Sequence, residues 1–372
     1  MEIRRISFFD EFNCIGGECR LTCCKGWLIP IEPEDIERFK KEKPLTRFIL
    51  FATRFGVRPA FNKRCGTCVF HDGKGLCRLQ KRKGHEFLPE VCRGFPRYYR
   101  NYGAVEEHYV DISCIHAAKL LLDNFKSMKL IVSDDEPEAV NTAKNNEPEY
   151  FDWLDKTRSE MLVRLQNTTD FAALKTLLSK LLKYFEDMHD AILSVGADYL
   201  PEHPIGEYLD SGESVRDVFP FDVNANLALF DTSFYSNVLK KTLPELYALC
   251  ALYFKRQADV VISRKQWSGA VERFEETHPE AAEYIAAYFS YFLLQHFFES
   301  YADYGFMRKI REGLIHANMI LLFDVLYFIE TGDFDRDRQI RIMSVYNRRP
   351  FFNREIRKEM YEAMGEWKDF AL

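Results

Sequence analysis

Nine of the ten cysteines in this 372-residue chain fall between positions 14 and 114. They run Cys14-x4-Cys19-x3-Cys23-Cys24, then Cys65-x2-Cys68-x8-Cys77-x14-Cys92, then Cys114, and Cys250 stands alone outside them. Core packing gives thiols no reason to gather at short spacings, so the array asks for a chemical cause: disulfides, zinc or an iron-sulfur cluster.

Compartment decides among these. The first ten residues carry Arg4 and Arg5 but no apolar run of signal-peptide length follows them, which reads as a cytoplasmic chain. Thiols are kept reduced there, and a cysteine array then points to a metal site. The longest apolar segment, residues 284–298, contains Ser290, Gln295 and His296 and falls short of the roughly 20 residues that cross a bilayer. A buried helix is expected, with no membrane partner. The net charge of −6 divides unevenly, +8 over residues 1–130 and −14 over residues 131–372. Basic side chains near a thiolate site would offset its negative charge, whereas a strongly basic nucleic-acid footprint is missing.

Along the chain, Pro33 with Glu34 and Asp35 behind it marks a helix start over residues 32–39. Residues 68–80 read as strand, glycine turn and strand, with Cys68 and Cys77 in the two arms. Cys92 lies between Pro89 and Pro96, whose fixed geometry suits a ligand loop. Residues 110–114 read as a strand and 115–130 as a helix. Residues 131–150 are acidic and proline-containing, as in a linker or surface loop. Beyond them helical spacing recurs over 151–166, 171–193 with Asp170 as cap, 224–239, 244–263, 267–277, 279–301, 306–331, 335–346 and 353–367, while 194–222 breaks the pattern. The expected fold class is mainly α: an irregular cysteine-rich N-terminal metal-binding domain with short strands (1–130), the acidic linker (131–150), and an all-α helical domain (151–372).

The ordered string Phe12-x-Cys14-Ile15-Gly16-x-x-Cys19-x-x-Thr22-Cys23-Cys24-x-Gly26-Trp27 is followed by Cys68-x-Phe70, Leu76-Cys77-x-x-Gln80, Leu88-x-x-x-Cys92-x-x-x-Pro96-Arg97 and Ser113-Cys114. Over about residues 8–122 this resembles the flagellin lysine N-methylase family and, more broadly, cysteine-rich domains described as zinc- or iron-chelating. The resemblance implies an enzyme that moves methyl groups from S-adenosylmethionine to lysine side chains of flagellin or a similar protein. It also implies an iron-sulfur cluster, the 4Fe-4S type favoured over zinc. The metal residues it carries over are Cys14, Cys19, Cys23, Cys24, Cys68, Cys77, Cys92 and Cys114, with Cys65 an extra thiol. Past residue 130 the likeness is one of length and helical character, and it transfers no catalytic or S-adenosylmethionine-binding residue.

Thiolates are soft ligands, and four serve either an all-thiolate zinc site or a standard cluster. Eight can form two such sites, or one site plus structural thiols. Adjacent Cys23 and Cys24 cannot easily face the same ion, so at most one of them belongs to each site. Cys19 and Cys23 with Cys77 and Cys92 make the first grouping. His71, His85, His108 and His116 read as surface or packing residues. Two patterns are missing: Gly26 stands where Cys-x3-Cys-x2-Cys requires its third cysteine, and no G-x-G-x-x-G follows a strand. Tyr284, Tyr288, Tyr291, Tyr301 and Tyr304 could line a methyl-lysine pocket through cation–π contact, but aromatics at helical spacing are first of all core. The alternatives to a methyltransferase are a non-catalytic metal-chelating scaffold and an iron-sulfur redox protein.

Overall fold

The first strand, β1 (Glu2–Ile6), lies inside a four-stranded mixed sheet ordered β6-β7-β1-β8. Its partners come from far along the chain: β6 (Arg97–Asn101), β7 (Val105–Val110) and β8 (Leu130–Ser133). β1 runs parallel to β7, with Glu2 opposite Val105, and antiparallel to β8, with Ile6 opposite Leu130. The computed structural model describes residues 2–19, 21–25, 29–42, 49–50, 59–61, 63–64, 67–134, 147–211 and 264–348. Cys65, Cys250 and the helices expected over 224–239, 244–263 and 353–367 lie outside the described residues.

Short elements surround the cysteines. They are α1 (Pro33–Lys40), the two-residue strands β2 (Ile49–Leu50), β3 (Ala60–Phe61), β4 (Lys63–Arg64) and β5 (Thr67–Cys68), then α2 (Arg78–Lys83), α3 (Glu90–Gly94) and α4 (Ile115–Asn124), with Cys68 in β5 and Cys92 in α3. The expected hairpin over 68–80 is corrected in its second arm, which is the helix α2. Arg-Leu-Gln-Lys-Arg-Lys has no β-branched residue, each member is a good helix former, and Gly84 ends the run at φ +86°. The loop expected around Cys92 is likewise a short helix. The helix expected over 115–130 stops at Asn124, and Leu130 opens β8.

β7, Val-Glu-Glu-His-Tyr-Val, is buried along its whole length. Its charges are tolerable there because they are paired. Arg158 donates to both Glu107 carboxylate oxygens, at 2.5 and 2.9 Å, and lies 4.0 Å over the Phe298 ring. The Tyr109 hydroxyl sits 2.5 Å from Glu107 Oε2 and 2.6 Å from the Leu294 carbonyl oxygen. The sheet is thereby fastened to the helices that follow.

Those helices are α5 (Pro148–Gln166), α6 (Phe171–Val195), α7 (Ile205–Asp210), α8 (Arg264–Thr277), α9 (Ala281–His296), α10 (Phe306–Thr331) and α11 (Arg336–Asn347). The expectation of a mainly α chain with some short strands holds. Asp170 caps α6 as expected, accepting from the Ala173 N–H at 2.8 Å, and Asp335 does the same for α11. Along α6, Phe171, Leu174, Leu178, Leu181 and Phe185 recur every three or four residues and are buried. Each such side chain stabilises the fold by about 1.5–3 kcal/mol. Gly313 lets α10 approach α9, since a Cβ there would stand 2.7 Å from Phe289. By length and composition α10 is the one helix among the described residues able to cross a membrane, yet 83% of its apolar window is buried inside the protein. That burial is the mark of a core helix. One apolar core joins Ile6, Phe8 and Val110 of the sheet region to Phe185, Phe289 and Tyr346 of the helices. A second, smaller core holds Ile29, Ile31, Phe39, Phe61, Phe70, Leu79 and Leu88.

Candidate metal centre

Each of the eight described cysteines is a free thiol. They fall into two neighbourhoods, with Cys23 between them. Cys24, Cys68, Cys77 and Cys92 all belong to the smaller core and act on one another electrostatically. Cys14, Cys19 and Cys114 act on one another beside it, with Cys114 packed on the main core. Of the grouping Cys19, Cys23, Cys77 and Cys92, the pair Cys23 and Cys92 act on one another, as do Cys77 and Cys92. Cys23, beside Cys24 in sequence, stands at their junction and also feels Cys92.

Local hydrogen bonds build the first set. The Cys68 N–H donates to the Cys24 carbonyl at 2.8 Å, and Lys25 bridges Thr67. The turn between Cys68 and Cys77 is pinned by Asp72, which accepts from the N–H groups of Lys74 (2.7 Å) and Leu76 (3.1 Å) and from Lys81 Nζ (2.6 Å). The Lys81 bond and then those amides hold the Asp72 carboxyl far below the usual carboxylate range. Asp35 of α1 accepts from the Glu90 N–H at 3.0 Å, so one helix caps the next and places Cys92. Arg38 ties the same corner, reaching Asp35 at 2.5 Å, the Leu88 carbonyl at 2.8 Å and the Glu86 carbonyl at 3.0 Å.

The second set draws on distant segments. A 3-10 turn over Gly16–Glu18 brings Cys14 and Cys19 round, with the Gly16 N–H 3.4 Å from the Cys14 sulfur. Cys114 sits at the N-cap of α4. Gly75 of the first set's turn packs on Gly17, where a Cβ would come within 2.9 Å of the Gly17 carbonyl oxygen. At φ +88° glycine is also the residue that this backbone favours.

The donor chemistry suits a soft metal. Cys77 and Cys114 both occupy helix N-caps, where the first amides of the helix, those of Leu79 and Gln80 or of His116 and Ala117, favour their thiolates electrostatically. Burial works the other way and wins, raising Cys68 and Cys114 to about 11 and Cys92 further still. Cys24 is the exception: a bond from the Cys23 thiol brings it down to about 7 and pushes Cys23 well up, although Cys23 keeps an exposed flank. In the arrangement seen, no three Cys, His, Asp or Glu side chains among the described residues are close enough to hold one ion together.

His71 Nδ1 lies 3.2 Å from the Gly73 N–H, His108 is buried 2.9 Å from Glu106, and His116 packs on Phe12. Tyr288 and Tyr291 are core, the latter donating to the Val110 carbonyl at 2.8 Å. Two surface cavities, of 370 and 650 Å³, lie along α5, and neither is lined by a cysteine.

Comparison with known proteins gives distant likenesses. Two of them are lysine-N-methylases. The chain is 25% identical over 146 residues to those of Salmonella typhimurium and Salmonella choleraesuis, covering 37% of this chain. It spans about a third (36%) of the length of these relatives. Another match, the flagellar biosynthetic protein FliU of Salmonella muenchen, is 25% identical over 133 residues, 33% of this chain and 79% of that protein. No family model and no solved structure matches the chain.

Proposed function

We propose that the chain is a protein-lysine N-methyltransferase that uses S-adenosylmethionine, acts on flagellin or a similar protein in the cytoplasm, and holds an iron-sulfur cluster. The observation that supports the metal part is the gathering of Cys24, Cys68, Cys77 and Cys92 at one small core with Cys14, Cys19 and Cys114 beside it, Cys77 and Cys114 standing at helix N-caps. The activity rests on the distant likeness to lysine-N-methylases and FliU. Cys24, Cys68, Cys77 and Cys92 would hold one group, and Cys14, Cys19, Cys23 and Cys114 another. A 4Fe-4S cluster, when bound, supplies a one-electron centre, which zinc does not. The chain's own residues prepare its seat: amides at two helix starts favour thiolates, while Asp35 and Arg38 set the angle of α3.

Methyl transfer itself needs a neutral lysine amine in line with the sulfonium methyl; the C–N bond forms as the C–S bond breaks, and the amine proton passes to a base. One further reading has its own support. The first set is enclosed in a small apolar core of short elements, a setting that also suits a structural zinc, and the chain would then be a non-catalytic scaffold.

Oxygen-free purification followed by iron, zinc and sulfide analysis separates these readings, and labelled S-adenosylmethionine with flagellin tests the activity. Iron with matching sulfide and label on flagellin lysines is expected. Zinc without sulfide, and no label transferred or bound, would establish the scaffold.

A further inference from the structure

β8 closes the sheet, and among the described residues no strand pairs with its outer side. Register fixes which backbone groups are left over. The Ser7 N–H donates to the Lys129 carbonyl at 2.9 Å, so the bonds to β1 fall at Ile131 and Ser133, and the N–H and C=O groups of Leu130 and Val132 point the other way. Edge strands are ordinarily blunted by charge, proline or a bulge. Leu-Ile-Val-Ser pairs with β1 one residue to one and carries neither charge nor proline, and Ile131 and Val132 are 44% and 63% exposed. Beside this edge runs the larger cavity, 650 Å³, with Leu130 and Val132 on one wall and Leu162 and Val163 of α5 on the other.

The charges at the two ends of β8 say what fits. Lys129 precedes the strand and Asp134 follows it, both exposed, and among the described residues neither has an ion-pair partner. A strand that is basic at its start and acidic at its end is complementary to itself when two copies run antiparallel.

We propose that β8 is the seam of a homodimer, two copies pairing β8 to β8 antiparallel with Val132 opposite Val132, so that two four-stranded sheets become one of eight. A two-fold axis perpendicular to the sheet keeps each side chain on its own face. Leu130 of one copy then stands opposite Asp134 of the other, which brings that carboxylate beside Lys129. Each Val132 fills the open side of the other copy's groove, and the outward groups of Val132 bond one another. The seam uses neither the thiols nor the methyl donor, so its test is separate from that of the function proposed above.

Sedimentation of the full-length protein from about 1 μM to 1 mM should show a monomer–dimer equilibrium. V132P removes the outward N–H at a position where an edge strand accepts proline, and it should weaken association about tenfold or more. K129E and D134K each set like charges together at both ends of the seam and should each weaken it about tenfold. The K129E/D134K double variant reverses both ends and should return to wild-type association. If V132P does not fold, the charge series decides alone. The proposal is overturned by a chain that stays monomeric throughout, by a dimer that folded V132P or the single reversals leave untouched, or by reversals that the double variant does not rescue, since β8 would then face a surface other than itself.

Discussion

The two thiol sets are fastened by opposite means. Cys24, Cys68, Cys77 and Cys92 are framed by contacts within residues 24–92, including the Asp72 turn, the Asp35 cap of α3 and a small core of their own. Cys14, Cys19 and Cys114 depend on α11, whose following residue Arg348 bonds Leu21 across 327 positions of sequence. The first set is therefore a local structure and the second a product of the whole fold. Damage to the helical body should reach the second set and spare the first.

The strongest break is inside the first set. Cys92→Ser should abolish its metal and unfold the small core, because metal binding and folding are one equilibrium in such modules, while Cys114→Ser should empty the second set and leave the small core folded. Metal per chain and thermal melting check this; unchanged stoichiometry in both variants removes these cysteines from the ligand roster. Next in size is Arg158→Met, which leaves Glu107 buried and uncompensated and should cost the body about 3–5 kcal/mol. Second-set metal should be released at the lowered melting point of the body, and first-set metal should stay. Simultaneous release would make the two sets one unit.

A smaller change probes the contact between the sets. Gly75→Ala meets both a positive φ and the Gly17 carbonyl and should cost about 2–3 kcal/mol. Gly73→Ala has a similar φ, +83°, with open space around it, and should cost about 1 kcal/mol. Denaturant melting of the pair isolates the close approach, and equal losses would show that the contact contributes nothing.

The contrast between the sets also explains what the sequence disclosed. Local signals were legible: Pro33 opening α1, Asp170 capping α6, and α10 with the bounds Phe306–Thr331 expected from its spacing. Partners distant in sequence were not. β1 is a strand because β7 and β8 flank it, and nothing in the run Glu106-Glu107-His108 signals a buried strand until Arg158 is placed beside it. The eight cysteines are named by the family resemblance, but that Cys24, Cys68, Cys77 and Cys92 gather follows from the small core, which periodicity does not reveal. Arg348 carried no signal at all, since an arginine after a helix is ordinary until its carbonyl partners are known. Tyr288 and Tyr291 took the packing side of their two readings.

The smallest expected effect separates the regions by pH. Glu299 accepts from Lys309 at 2.5 Å, Arg100 at 2.8 Å and His296 at 2.9 Å. Burial disfavours its carboxylate, but the His296 bond and the charges of His296, Lys309 and Arg100 outweigh that and hold its pKa far below the ordinary value. A depressed folded-state pKa contributes stability that is present above the unfolded value of about 4.3 and is lost as pH falls towards the folded value. The melting point of the body should therefore drop between about pH 5 and pH 3, and Glu299→Gln should start lower at pH 7 and lose less over that window. The thiol region has no part in this carboxylate, so the first set's melting in Glu299→Gln should follow wild type at every pH. A parallel shift of both transitions would mean that the small core is not an independent unit, and the local character assigned to the first set would have to be given up.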